Sequence, residues 1–69
     1  MKKKILIEGM SCNNCVAHVT EALNELDDSK NVEVNLNGKY ALVETNVQDD
    51  IITEKIEDMG YDVVKIQNI

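Results

Sequence analysis

Val32-Glu33-Val34-Asn35-Leu36-Asn37-Gly38-Lys39-Tyr40-Ala41-Leu42-Val43-Glu44-Thr45 lies near the middle of this 69-residue chain and organises what flanks it. Val32, Val34 and Leu36 alternate with Glu33 and Asn35, the period of a strand buried on one face. Asn37-Gly38 is the strongest short hairpin signal, so Lys39 to Thr45 reads as the returning strand. A two-residue loop sets Leu36 opposite Lys39, Val34 opposite Ala41 and Val32 opposite Val43. Two apolar cross-strand pairs then share one face, with Tyr40 and Leu42 on the other.

Each side of the hairpin carries one helix and one strand. Upstream, Val16, Val19, Leu23 and Leu26 recur at helical spacing, with Glu21, Asn24 and Glu25 toward solvent, until Asp27, Asp28 and Ser29 break the pattern. Ile5 to Ile7 begin a strand that stops at Gly9. Downstream, Asp49 to Met59 reads as a helix with Asp49 and Asp50 in its first turn and Ile52, Ile56 and Met59 as its inner stripe. Gly60 is the expected left-handed terminator. Tyr61 to Gln67 is the last strand, carrying Val63, Val64 and Ile66. The predicted class is α+β, a ferredoxin-like βαββαβ arrangement with two helices on one face of a four-stranded antiparallel sheet, forming one domain over 1–69.

Hydrophobic residues at 43% and charged residues at 29% are ordinary for a chain that folds. A net charge of -6 and the absence of Trp and Phe oppose phosphate binding and base stacking, so nucleic acid is not an expected partner. Met1-Lys2-Lys3-Lys4 is followed by only Ile5, Leu6 and Ile7 before Glu8, too short an apolar stretch for export or for spanning a bilayer. A cytoplasmic location is expected, where thiols stay mostly reduced. Lys2 to Lys4 read as the solvated end of a strand.

Cys12 and Cys15, the only cysteines, fall where the first strand gives way to a helix. A helix N-terminus lowers thiol pKa, and the thiolate is the form that binds metal or attacks a disulfide. Three chemistries use the Cys-x-x-Cys spacing. A closed zinc site needs four Cys or His ligands, and the chain has two Cys and one His. A dithiol oxidoreductase remains an alternative, although the chain lacks proline and thioredoxin-like folds place a cis-proline beside the dithiol. An open, low-coordinate site suits a soft cation such as Cu(I) and leaves room for a partner's thiol.

Gly9-Met10-Ser11-Cys12-Asn13-Asn14-Cys15-Val16 resembles the Gly-Met-x-Cys-x-x-Cys signature of the heavy-metal-associated domain family, and Gly60-Tyr61-Asp62-Val63 resembles its late loop. Within that family the likeness is to bacterial copper chaperones and to the N-terminal domains of copper-transporting P-type ATPases. The resemblance implies that Cys12 and Cys15 bind Cu(I) as a near-linear bis-thiolate and pass it by ligand exchange to a related domain of an exporting ATPase. No bond in a substrate is made or broken, so the chain is not expected to be an enzyme. It implies a monomer without metal, and it leaves open a metal-bridged dimer and binding of mercury, silver or zinc. Relatives devoted to zinc, cadmium or lead often carry Asp before the first Cys, where this chain has Ser11, which favours monovalent copper.

Three neighbours complete the site. Met10 is expected to pack beneath the loop and not to ligate. His18 lies off the apolar stripe and reads as a solvated surface residue. For Tyr61 two readings stay open, a hydroxyl shaping access to the thiolates or an ordinary half-buried tyrosine. Glu21, Glu25, Asp27 and Asp28 read as a solvated acidic face, with a docking role as the alternative.

Overall fold

The computed structural model describes residues 1–69 as β1 (Lys2–Glu8), α1 (Asn13–Asn24), β2 (Lys30–Asn35), β3 (Tyr40–Glu44), α2 (Asp49–Glu57) and β4 (Asp62–Asn68). The strands form one antiparallel sheet in the order β2-β3-β1-β4, with both helices on one face, as the element order predicts. Ile5 and Ile7 of β1 and Ala41 and Val43 of β3 meet Val19 and Leu23 of α1 and Ile52 and Ile56 of α2 in a core that also holds Met10 and Leu26. Each fully buried Ile or Leu contributes about 1.5 to 3 kcal/mol, so the fold has an aliphatic basis independent of any metal. No helix is long and apolar enough to cross a membrane.

The hairpin register is as expected at Val34–Ala41, but the loop is not. The ladder closes at Asn35–Tyr40, and Leu36 to Lys39 form a four-residue turn in which the left-handed residue is Lys39, φ 57. Gly38 is needed for space: a Cβ there would lie 2.4 Å from the Tyr40 ring, while its N–H donates to Asn35 Oδ1 at 2.7 Å. The expected Val32–Val43 pair falls where the β2–β3 ladder is irregular, between Lys30 and Glu33, with Asn31 at φ 53. There the chain leaves α1 through Asp28, also left-handed, and enters the sheet through a bulge.

Two further expectations are corrected, and β4 departs from simple alternation. The inner stripe of α2 ends at Ile56. The helix stops at Glu57 and tightens through Met59 N–H to Ile56 O and Gly60 N–H to Glu57 O, which turns Met59 outward. Gly60 then takes the left-handed conformation predicted for it, φ 95. In β4, Val63 and Ile66 pack on the core although they are an odd number of residues apart. A register shift opposite Leu6 and Ile7 leaves Val64 without a partner and exposed, and restores the inward phase at Val63.

Lys3 is the second correction. It shares the inward face of β1 with Ile5 and Ile7 and is only 6% exposed, not solvated. Its Nζ donates to Val47 O at 2.9 Å and to Asp49 Oδ1 at 2.5 Å, clasping the start of β1 to the entry of α2. Lys4, on the opposite face, lies over the Tyr40 ring at 4.6 Å.

Candidate metal centre

β1 delivers the chain to one end of the sheet, and Gly9 turns it at φ 100, a conformation that a side chain would strain. Gly9 packs against Tyr61 and the Gly60 carbonyl, which brings the late loop beside the cysteine loop. Met10 is 7% exposed and belongs to the core cluster beneath the loop. Ser11 and Cys12 are then fully at the surface, and Cys15 is half-buried against the core.

Cys12 is the N-cap of α1, in extended conformation, and its carbonyl accepts the Cys15 and Val16 N–H groups at 3.1 and 3.3 Å. No side chain caps the helix, so its first turn faces outward with N–H groups and two sulfurs. Both thiols are free, with Sγ atoms 3.5 Å apart, far beyond the roughly 2.05 Å of a disulfide. The Cys15 pKa falls from 9.0 to about 6. The Ser11 N–H is the largest cause, followed by the Tyr61 hydroxyl and the Cys12 thiol, and partial burial opposes them. The same hydrogen bond and the nearby thiolate charge raise the Tyr61 pKa. Cys15 is therefore biased toward the thiolate.

The structure thus gathers Met10, Ser11, Cys12, Cys15 and Tyr61 at one end of the sheet. Tyr61 is half-buried beside the cysteine loop, where its hydroxyl helps to lower the Cys15 pKa. Ser11 acts through its backbone, for which no side-chain signal exists in sequence. His18 is exposed one turn along α1, and no group of three His, Cys, Asp or Glu side chains is placed to hold a metal ion. The arrangement is a two-sulfur site open to one side.

The sequence profile of the heavy-metal-associated domain matches residues 4–62, which include the cysteine loop and the late loop. The chain belongs to the heavy-metal-associated domain family. Among relatives of this heavy-metal-associated domain, the copper chaperone CopZ of Enterococcus hirae is 41% identical over 64 residues, spanning 88% of this chain and 93% of that one. The solved structure of a CopZ metallochaperone superposes with a TM-score of 0.86 at 36% identity, covering 93% of this chain and all of that one. A copper binding domain from HMA7, a P-type ATPase, gives a TM-score of 0.87 at 29% identity over 99% and 96% of the two chains.

Proposed function

We propose that this chain is a cytoplasmic copper chaperone that holds Cu(I) between Cys12 and Cys15 and hands it to the metal-binding domain of a copper-transporting P-type ATPase. The observation that carries this reading is the reduced Cys12–Cys15 pair, with Cys12 exposed and Cys15 half-buried, 3.5 Å apart and biased to thiolate at Cys15. The likeness to CopZ and to a P-type ATPase copper binding domain supports the cargo and the kind of partner.

Two metal–sulfur bonds of about 2.3 Å span about 4.6 Å when linear, so the pair must open by roughly 1 Å to take Cu(I) between them. Cys12, at the surface, is free to rotate, while Cys15 is half-buried against the core. Transfer then runs by exchange. A partner thiolate adds to copper, Cys12 leaves as the more mobile ligand, a second partner thiolate adds and Cys15 leaves last. Each partner thiol loses its proton as it ionises to bind, the departing cysteine takes up a proton in exchange, and copper stays monovalent throughout. Met10 keeps the loop seated during the exchange, and Ser11 contributes no carboxylate that would favour a divalent ion.

Competition of the reduced protein against a Cu(I) chelator, run beside a disulfide reductase assay, tests the reading. Tight binding of one copper per chain without reductase turnover is expected. Weak copper binding with efficient turnover would establish the dithiol oxidoreductase instead. Parallel titrations with Ag(I), Hg(II) and Zn(II) identify a different cargo if one of them outcompetes copper.

A further inference from the structure

The turn between β2 and β3 brings together groups that the metal centre does not use. Of the eight asparagines, only Asn37 precedes a glycine. Asn37, Gly38 and Lys39 are exposed, and Tyr40, which opens β3, lies opposite Leu6. The turn therefore sits at the end of the sheet where β1 finishes and the cysteine loop begins, and there Lys39 O accepts the Ile7 N–H at 2.8 Å. A larger residue cannot replace Gly38, because a Cβ would run into the Tyr40 ring. Packing thus keeps behind Asn37 the one residue type with no side chain to shield its backbone nitrogen. A second contact bears on that same nitrogen. The Gly38 N–H donates to Asn35 Oδ1 at 2.7 Å, and Asn35 Nδ2 donates to the Tyr40 hydroxyl at 3.3 Å, so one side-chain amide bridges the turn and the ring.

We propose that Asn37 is a site of spontaneous covalent modification, converted through a cyclic imide to aspartate and isoaspartate, and that Asn35 is the positioning residue that slows this conversion by holding the reacting nitrogen protonated. Hydroxide removes the Gly38 amide proton, and the nitrogen attacks Asn37 Cγ. The bond from Gly38 N to Asn37 Cγ forms, the Cγ–Nδ2 bond breaks, and the side-chain amide leaves as ammonia after taking a proton from water. Water then opens the ring. Cleavage at Cγ gives aspartate at position 37, and cleavage at the Asn37 carbonyl carbon gives isoaspartate. One water is consumed, one ammonia is released and nothing is oxidised or reduced. The nitrogen attacks only once its proton is lost, and a hydrogen bond to a neutral acceptor favours the form that keeps the proton. Either product adds one carboxylate to a chain of net charge -6, and isoaspartate also adds a methylene to the backbone of a turn whose ladder closes at Asn35–Tyr40. The proposal does not depend on what Cys12 and Cys15 bind.

The test incubates reduced, metal-free protein at neutral and mildly alkaline pH, cuts it after Lys30 and Lys39 with trypsin, and follows the 31–39 peptide by mass spectrometry after chromatography that separates aspartate from isoaspartate. Fragment ions are expected to place the change at Asn37, ahead of every other asparagine, at a rate that rises with hydroxide and is slower in the folded chain than in the free 31–39 peptide. Asn35→Ala removes the acceptor and is expected to speed conversion about twofold to tenfold. Asn35→Asp also loses the donor to Tyr40 but keeps an acceptor, now charged, so it is expected to convert no faster than native. A merely structural role for Asn35 would make the two variants alike. Hydrogen exchange at the Ile7 N–H, held by Lys39 O, reports whether the turn stays formed and is expected to match native in both variants. No conversion at Asn37, earlier conversion at another asparagine, no gain from Asn35→Ala, equal rates in the two variants, or a gain that tracks faster exchange at Ile7 overturns the proposal.

Discussion

The two ends of the sheet are built on opposite plans. At the end where β1 starts, polar groups are satisfied by one another. Lys3 is held by Val47 O and Asp49, Thr45 donates to Asp28 at 2.7 Å and accepts from Val47 N–H at 3.1 Å, and the Asn46 side chain donates to Asp28 at 3.0 Å. At the end where β1 finishes, α1 begins without a side-chain cap and two sulfurs face outward with only each other, a backbone N–H and a tyrosine as polar neighbours. A small domain holds its shape by closing the first end and the core, and so can leave coordination capacity unused at the second.

The largest contrast comes from cutting each end in turn. Cys12→Ser and Cys15→Ser each remove one of two sulfurs, so Cu(I) affinity is expected to fall by more than the roughly 100-fold that outer residues of a metal site command. The folded state of the metal-free Cys12→Ser protein stays within about 0.5 kcal/mol of native, because that side chain is exposed. Chelator competition and thermal melting read the two quantities. A metal-free protein that is unfolded from the start would place the chain among metal-dependent folders and break the comparison.

At the closed end, Lys3→Ala leaves copper binding intact and costs about 1 to 2 kcal/mol, a charge-assisted hydrogen-bond loss discounted because Asp49 is half exposed. For a domain of this size that lowers Tm by about 4 to 8 °C per kcal/mol. An unchanged Tm would show that the clasp is incidental.

That clasp marks where sequence reading runs out. The element order, the helical stripe around Val19 and Leu23, the Val34–Ala41 register and the cysteine loop were all legible because each is written in periodicity or in residue type. Lys3 was not: its position on the inward phase of β1 was visible, but a lysine there reads as solvent-facing until Val47 O and Asp49, more than forty residues on, are seen to receive it. The outward turn of Met59 and the exposure of Val64 were hidden for a related reason. A bulge shifts strand phase by one, a tightened last turn rotates a helix stripe, and neither leaves a mark in composition. The Ser11 N–H on Cys15 is a backbone contact and is invisible to side-chain reasoning altogether.

Asp28 supplies a smaller, pH-dependent test of the closed end. The Thr45 hydroxyl, the Asn46 N–H and the Asn46 side-chain amide hold its carboxyl below the ordinary 3.8. A carboxyl lowered in the folded state stabilises the fold above its unfolded pKa, and that contribution is lost as pH falls through the lowered value. Asp28→Asn is expected to flatten the acid limb of a Tm-against-pH curve below about pH 4, with little effect near pH 7. An acid limb of unchanged slope would assign the loss to other carboxylates.

The smallest effect, at the open end, separates the causes acting on Cys15. Its thiol sits at about 6 in the fold against 9.0 ordinarily, so folding favours the thiolate; that contribution is full above about pH 9 and is lost as pH falls through about 6. Tyr61→Phe removes the second-strongest donor to Cys15 and keeps the ring that packs on Gly9, while the Ser11 N–H remains. The Cys15 midpoint, followed by the 13Cβ shift in reduced metal-free protein, is therefore expected to rise from about 6 but to stay below 9.0. Copper affinity falls by less than either cysteine variant loses, and most visibly below pH 7, where protons compete for Cys15. A midpoint that does not move would return Tyr61 to a packing role and leave the backbone of Ser11 and the thiol of Cys12 to account for the thiolate.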